Sequence, residues 1–243
     1  MKKALVYLAG FSALLLCGRV CAQQVSVTAR VMVTGGNFKA KRDVKAGDVV
    51  LWLTPLDESI QPLPTSFSQQ HPRLVQLNKS FQPHILVVPV GSVVEFPNHD
   101  PFFHNVFSLF DGKRFDLGLY EAGTTRDVRF DKVGISYIFC NIHPQMSAVI
   151  LALGTPFYGI SNGHGEVVIP GVPPGRYTLH IFYESALPET LKNLSREVSI
   201  MSNNATLGVL RLTADNVSEA HKNKYGRDYD TPTPAQNPAY DQP

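Results

Sequence analysis

Cysteine is scarce in this sequence, and its net charge is small. The 243 residues include three cysteines and one tryptophan, and the formal net charge is +2. Cys17 and Cys21 lie within the first 22 residues, so Cys140 is the single thiol of the remaining chain. A single thiol cannot form an internal disulfide, which excludes a disulfide-stabilised fold. In an oxidising compartment such a thiol is open to oxidation, and metal ligation would both use it and protect it.

Long apolar runs are absent except near the start of the chain. Two lysines precede an apolar stretch from about Ala4 to Leu16, and small residues follow it up to Ala22. This order predicts a secretory signal peptide over residues 1–22 and a periplasmic or secreted mature protein. The stretch is short for a bilayer span, and an uncleaved anchor is the alternative. We therefore do not expect an integral membrane protein.

Basic charge is too sparse to indicate a nucleic-acid partner. Removing residues 1–22 removes Lys2, Lys3 and Arg19 and no acidic residue, so the formal charge falls by three, from +2 to −1. The apparent basicity of the whole chain therefore belongs partly to the signal. Nucleic-acid-binding proteins carry a concentrated basic surface, and we expect no nucleic-acid partner here.

Helical periodicity is also lacking, and the sequence is typical of an all-β protein. Its 18 glycines and 18 prolines separate short apolar segments in which valine and phenylalanine are frequent. The short spacing of these segments predicts a β-sandwich or Greek-key barrel over residues 73–154. The predicted strands of this central unit are 74–77, 85–88, 92–96, 105–109, 125–130, 136–139 and 148–153.

The flanks of the central unit have a different composition. Residues 165–179 combine a glycine, an alternating strand, a Val-Pro-x-Gly turn and a following tyrosine, and they resemble the closing half of carboxypeptidase-regulatory (transthyretin-like) β-modules. Residues 25–55 resemble the opening strands of such a module, so we expect 25–55 and 155–213 to fold together as a smaller β-sandwich. A simpler alternative adds 25–55 to the central unit. Residues 214–243 are polar and rich in proline, which predicts a disordered tail.

Four residues carry the chemistry that the sequence predicts. Cys140 ends a predicted strand, His143 and Met146 follow on one short loop, and His104 opens a strand well upstream. A thiolate and two imidazoles form a trigonal set that a thioether completes weakly along the axis, which is the blue-copper ligand set. Zinc also binds cysteine and histidine, but it would leave Met146 without a role. The sequence therefore predicts one copper ion that cycles between Cu(I) and Cu(II).

The same segments resemble the cupredoxin family. Residues 140–146 follow the Cys-x-x-His-Pro-x-Met order of plastocyanins, pseudoazurins and especially amicyanins, and residues 96–98 with His104-Asn105 resemble their first-histidine region. The wider arrangement resembles bacterial exported cupredoxin-like proteins of the methylamine-utilisation type. This resemblance implies a Greek-key cupredoxin sandwich, a supporting hydrogen-bond role for Asn105 and a surface position for His143, where electrons would enter and leave.

The expected function is that of an exported type 1 (blue) copper protein that carries one electron and is not an enzyme. The resemblance implies a transient redox partner, either a c-type cytochrome or a periplasmic dehydrogenase. A nucleophilic role for Cys140 would need a third, orienting group that is not evident, and a dinuclear copper site would need a second cysteine. A periplasmic copper-handling protein with the same four ligands is the main alternative. Docking to a partner by the flanking module is a third hypothesis.

Several neighbouring residues have structural interpretations. His84 and His99 show no ligand spacing, and we expect them to be surface or hydrogen-bonded histidines. Residues 111–116 indicate a charged turn on a solvated face. The phenylalanines near His104 are expected to lie mostly in the core, with one or two forming an apolar surface around the site; they are Phe96, Phe102, Phe103, Phe107 and Phe110.

Overall fold

The computed structural model describes residues 24–35, 46–57, 60, 71–109, 112–203, 205–214 and 222–229. Within these residues the chain forms 16 strands and one short helix, which confirms the predicted all-β class. The predicted signal peptide over 1–22 lies outside the described residues. In the described part, no helix combines the length and the apolar character that crossing a membrane requires.

The elements fall into two units, a central one made of β3 to β11 and a flanking one made of the rest. In chain order they are β1 (Val25–Gly35), β2 (Val50–Pro55), β3 (Val75–Leu77), β4 (Ser80–Gln82), β5 (Ile85–Pro89), β6 (Val93–Pro97), β7 (His104–Ser108), β8 (Phe115–Tyr120), β9 (Thr125–Arg129), β10 (Gly134–Phe139), β11 (Ser147–Leu153), β12 (Tyr158–Ile160), β13 (Glu166–Val172), β14 (Gly175–Phe182), α1 (Pro188–Leu194), β15 (Arg196–Ile200) and β16 (Thr206–Ala214).

The central unit is a two-layered sandwich. One layer is a five-stranded sheet in the order β5-β11-β10-β7-β8, in which β5 and β11 run parallel and the other pairs run antiparallel. The β3–β4 hairpin and the β6–β9 pair form the opposite layer. Two isolated bridges, between Arg73 and Glu95 and between Gln76 and Asn98, join these two parts of the layer. The core between the layers is built largely from Leu74, Phe81, Val94, Phe96, Val106, Phe130, Ile138 and Ile150.

The flanking unit encloses a separate core between two sheets, ordered β13-β1-β16 and β12-β2-β14-β15. In β1, Val27, Ala29 and Val31 face this core and the residues between them are exposed, as expected for a strand with one wet face. β1 pairs with β13 and β16, and β2 pairs with β12 and β14. The strands β1 and β2 therefore share their sheets with β12 to β16.

The two units meet on a strand that is buried on both faces. In β11, Ala148, Ile150 and Ala152 point into the central core, while Val149, Leu151 and Leu153 point toward the flanking unit. These last three pack in one cluster with Val50 of β2 and Phe182 of β14. Burial on both faces explains why the segment is continuously apolar rather than alternating. The strand that leaves the predicted ligand loop is therefore fixed from both sides.

A polar contact at the edge of this interface also links the units. The His84 ring bonds Glu184 of the flanking unit through Nε2 at 2.5 Å, and its Nδ1 lies 3.2 Å from the carbonyl oxygen of Ser147. The hydrogen bond to Glu184 raises the pKa of His84 above its ordinary value of 6.5, against the opposing effect of burial. The pair therefore favours a charged imidazolium at the junction.

We expect Glu184→Gln to flatten the pH dependence of stability. Because the folded-state pKa of His84 is raised, its contribution is fully present below pH 6.5 and is lost as the pH rises through the folded pKa. Both side chains are more than a third exposed, so solvent screening limits the effect to about 1 kcal/mol or less. Urea unfolding of the parent and the variant at pH 5.5 and pH 8.5 measures it.

The matched control is Glu121→Gln, which neutralises an exposed acidic residue of the central unit. This control should keep the parent's difference in unfolding free energy between the two pH values. An equal pH dependence in Glu184→Gln and in the parent would contradict a stabilising role for the pair.

Two segments depart from the sequence predictions. The expected charged turn over residues 111–116 is wrong in its second half, since Phe115 and Asp116 begin β8, which pairs with β7. Gly118 in this strand has φ +68°, and the local burial pattern does not alternate, so the period-two signal is lost. In the predicted disordered tail, β16 extends to Ala214 and residues 222–229 hydrogen-bond to the central unit.

Candidate metal centre

The upstream histidine is the first residue of a strand that is buried throughout. All five residues of β7 are buried, and His104 is 0% exposed. Its Nδ1 faces Cys140, and its Nε2 lies 2.7 Å from Oδ2 of Asp100. A carboxylate can only accept a hydrogen bond, so Nε2 carries the proton and Nδ1 presents a lone pair. The side chain is thereby fixed in the tautomer that a metal ligand requires.

The other three predicted ligands lie on the loop that joins β10 to β11. The Cys140 backbone N–H donates to the Met146 carbonyl oxygen at 3.2 Å, and the Met146 N–H donates to the His143 carbonyl oxygen at 3.0 Å. These two bonds close the loop at its ends, so its side chains start from a defined frame. Met146 is buried in the same core cluster as Cys140, and His143 is half-buried.

Three ligand atoms converge in the space between β7 and this loop. The Cys140 Sγ lies 3.7 Å from Nδ1 of His104 and 3.5 Å from Nδ1 of His143, and the two Nδ1 atoms are 3.2 Å apart. Within the described residues, these are the three that combine potential ligand atoms within 4.8 Å of one another. One nitrogen from each ring and a sulfur therefore share a single centre, as a trigonal site for a soft metal needs.

The protonation states of the two imidazoles suit metal binding. Burial lowers the pKa of His104, and the hydrogen bond to Asp100 opposes this only in part. Burial and the nearby His104 lower the pKa of His143 to about 4. Both rings are therefore neutral near pH 7, which is the form that coordinates a metal ion.

Backbone N–H groups face the Cys140 thiol within an otherwise apolar site. Burial raises the pKa of Cys140, and backbone N–H groups of Asn105, Ile142 and His143 that face the sulfur oppose the rise. Such N–H groups favour the thiolate, and a bound cation would favour it much more strongly because coordination displaces the thiol proton. The two imidazoles and the Cys140 sulfur therefore fit a thiophilic metal ion, whereas a free thiol would gain little from this arrangement.

Asp100 is a residue of the candidate site that the sequence analysis missed. It is 4% exposed and accepts three hydrogen bonds, from His104 and from the backbone amides of Asn78 at 2.6 Å and Lys79 at 3.0 Å. Burial raises the pKa of Asp100, but these bonds outweigh burial and leave it below its ordinary value. The carboxylate thus links His104 to the turn of the β3–β4 hairpin.

That hairpin turn depends on the same carboxylate. Asn78 and Lys79 both have positive φ angles, of 56° and 54°, which is the geometry of a two-residue type I′ turn. Lysine tolerates this conformation poorly, and the acceptor oxygens of Asp100 fix both amides in it. The only sequence signal for this role is an acidic residue four positions before His104, which has no distinctive spacing.

Asn105 connects the site to β8 and to the end of the chain. The resemblance implies that it supports both ligand segments, and its backbone N–H faces the Cys140 sulfur. Its side-chain Nδ2 donates to Oδ1 of Asp116 at 2.7 Å, while Oδ1 of Asn105 is buried without a hydrogen-bond partner among the described residues. Asp116 in turn accepts a bond from Lys224 at 2.8 Å.

The surroundings of His143 form the exposed side of the site. The ring of Phe102 lies 5.6 Å from that of His143 and 5.3 Å from that of His104, measured between centroids. Pro144 is exposed, and the ammonium group of Lys79 lies 5.3 Å from the Phe102 centroid. The site therefore reaches solvent through an apolar rim that carries one positive charge.

The remaining predicted residues take structural positions. Phe96 and Phe107 are buried, and Phe103 is exposed. Phe110 lies outside the described residues. His84 bonds Glu184 as described above and His99 is exposed, as expected.

Comparisons with known proteins give partial likenesses. Neither a family model nor a curated protein matches the sequence. A purple cupredoxin from Nitrosopumilus maritimus is 22% identical, with 34% of this chain and 99% of that chain covered and a TM-score of 0.32. A Cu-containing nitrite reductase from Thermus scotoductus SA-01 is 26% identical, with 41% and 27% covered and a TM-score of 0.34.

A tryptophan-to-tyrosine variant of amicyanin in its reduced state is 16% identical, with 36% of this chain and 87% of that chain covered and a TM-score of 0.33. This chain thus spans about a quarter of the nitrite reductase and most of the two small proteins. All three TM-scores are below 0.5, so the assignment of the site depends on the chain's own residues.

Proposed function

We propose that this protein is a type 1 copper electron carrier whose single ion is bound by His104, Cys140, His143 and Met146. The observation that carries the proposal is the convergence of two Nδ1 atoms and one Sγ within 4.8 Å. Two neutral imidazoles and one thiolate are the equatorial ligands of such sites, and a thioether is their weak axial ligand. Met146, buried in the same core cluster as Cys140 and bonded into the same loop, would supply the thioether.

The scaffold around these residues supports electron transfer. Copper supplies a one-electron couple whose two oxidation states prefer different geometries, so a stiff intermediate site keeps the rearrangement between them small. Here His104 is fixed by Asp100 on a buried strand, Cys140 directly follows β10, and Met146 directly precedes β11. The chain itself therefore holds the ligand atoms in place.

Burial of the ligands favours a carrier over the alternative, a copper-handling protein. His104 and Cys140 are both 0% exposed, and His143 is the half-buried member of the set. A handling protein must pass its ion to a partner, which requires ligands that an incoming donor can displace. An electron can be transferred through the exposed edge of a single ligand, and the His143 ring, beside Phe102 and Pro144, provides such an edge.

The proposed partner is a redox protein that binds briefly at this rim, and the sequence resemblance favours a c-type cytochrome or a periplasmic dehydrogenase. A small apolar patch suits a transient encounter better than a permanent complex. The exposed Pro144 and the Phe102 ring would supply apolar contact, and Lys79 beside Phe102 would favour an acidic partner surface.

Loading the purified protein with Cu(II) tests the proposal. We expect one equivalent to bind with an intense visible absorption from thiolate-to-copper charge transfer, a narrow copper hyperfine splitting in electron paramagnetic resonance, and reversible one-electron cycling. A colourless site that binds Cu(I) and releases it quickly to a chelator would favour copper handling. Failure to bind either oxidation state would overturn both functions.

A further inference from the structure

A segment from the end of the chain lies against the Cys140 loop. Residues 222–229, which we name the C-terminal strap, form a compact turn around Asn223, whose side-chain oxygen accepts backbone bonds from Tyr225 at 3.0 Å and Arg227 at 3.1 Å. Two backbone bonds close the turn, from the N–H of Asn223 to the carbonyl of Arg227 and from the N–H of Gly226 to the carbonyl of Asn223. The strap therefore has its own defined conformation.

The strap makes two hydrogen bonds to consecutive residues of the ligand loop. The Tyr229 hydroxyl donates to the Cys140 carbonyl oxygen at 2.7 Å, and the Lys224 backbone N–H donates to Oδ1 of Asn141 at 3.0 Å. The Cys140 N–H is already bonded to Met146. The peptide groups on both sides of the cysteine are thus held, one from within the loop and one by the strap.

A third contact of the strap reaches the opposite side of the site. The Lys224 ammonium group donates to Oδ2 of Asp116 at 2.8 Å, and Oδ1 of the same carboxylate accepts from Asn105 at 2.7 Å. Asn105 is the residue after His104, and its backbone N–H faces the Cys140 sulfur. The strap therefore bridges the two ligand-bearing segments from outside.

We propose that the C-terminal strap is a positioning element of the metal centre, with Tyr229 fixing the Cys140 peptide and Lys224 joining that loop to β8. The proposal rests on the copper function proposed above and adds to it. The Tyr229 hydroxyl directs its hydrogen bond at the carbonyl group of the thiolate residue, and a donor aimed at that residue stabilises the reduced centre, which carries one more electron. The strap thus restricts the motion of the cysteine and raises the reduction potential.

Tyr229→Phe is the sharpest test because it deletes a single hydroxyl. Tyr158→Phe is the matched control, since it makes the same chemical change on β12 of the flanking unit. In the copper-free full-length protein, we expect Tyr229→Phe to speed amide hydrogen exchange at Cys140 and Met146 about two- to tenfold, as the loss of one hydrogen bond predicts.

The copper-loaded protein gives a second readout that a merely structural contact would not move. We expect Tyr229→Phe to lower the reduction potential and to shift the thiolate-to-copper absorption, and Tyr158→Phe to change neither. Exchange rates or a potential that match those of the Tyr158→Phe control would overturn the strap's role. If the parent protein binds no copper, the copper proposal fails, and the exchange rates alone then decide whether the strap holds the loop.

Discussion

Cys140→Ser is expected to abolish the intense visible absorption of the copper-loaded protein completely. The absorption arises from charge transfer between the thiolate and Cu(II), and a serine hydroxyl is a harder ligand that stays protonated at neutral pH. Serine is close to cysteine in size, and backbone N–H groups of Asn105, Ile142 and His143 already face that atom. The copper-free variant should therefore fold, and absorption spectra of both proteins after addition of Cu(II) measure the result.

Met146→Gln is the comparison variant for this experiment. It should keep the coloured site, because the thiolate and both imidazoles remain, and it should lower the reduction potential, because a harder axial ligand favours Cu(II). Persistence of the strong absorption in Cys140→Ser would exclude Cys140 as the source of the band. An unchanged potential in Met146→Gln would remove Met146 from the ligand set.

Asp100→Ala is expected to lower the unfolding free energy by about 1–3 kcal/mol, since it leaves the buried Nε2–H of His104 without an acceptor. The change removes the acceptor of the buried His104 ring N–H and of the part-buried backbone amides of Asn78 and Lys79. It also releases the His104 tautomer, so we expect the copper affinity to fall about 10- to 100-fold, as for other residues that orient a metal ligand. Urea unfolding of the copper-free protein and competition with a chelator measure the two effects.

Asp100→Asn separates charge from hydrogen bonding at the same position. Its amide oxygen can still accept a bond, so the stability loss should be smaller than in Asp100→Ala, whereas removal of the negative charge should raise the reduction potential. Asp127→Asn is the control, because it neutralises an exposed aspartate on β9. If both Asp100 variants behaved like this control, the carboxylate would not support His104.

The ligand loop could be predicted from the sequence because its information is local. Cys140, His143 and Met146 fall within seven residues, and the strands on each side are read from continuous apolar runs. The position of His104 also has a local signal, since it opens a strand and precedes Asn105. At each of these positions the local strand pattern and the chemistry of the side chain indicate the same role, which is the agreement expected of a sequence that folds to one structure.

Asp100 and the strap could not be predicted because their roles depend on partners far along the chain. Asp100 gains its role from the backbone amides of Asn78 and Lys79, more than 20 positions earlier, and backbone groups leave no mark in a sequence. Tyr229 reaches the Cys140 carbonyl across 89 positions. Its segment docks through hydrogen bonds rather than apolar burial, so a polar composition that predicts disorder is compatible with order in this context.

The strands of the flanking unit and their pairing could be predicted from the sequence only in part, for a related reason. Val167 and Ile169 of β13 face the core of the flanking unit and alternate with exposed residues, so their period could be read. By contrast, β2 has buried residues on both faces, since Leu51 and Leu53 join the flanking core and Val50 joins the interface. A strand of that kind has no alternation, and its partners can be assigned only from three-dimensional pairing.

The double-sided strand β11 has a consequence for how this protein could be shortened or recombined. Cutting out the central unit alone would expose Val149, Leu151 and Leu153 to solvent. This would create an apolar surface patch on the strand that starts beside Met146. Such a fragment would self-associate through that face. The central unit is thus not interchangeable with a free-standing small domain unless polar residues replace those three, and any graft of the candidate site onto another scaffold must carry a substitute for that covering surface.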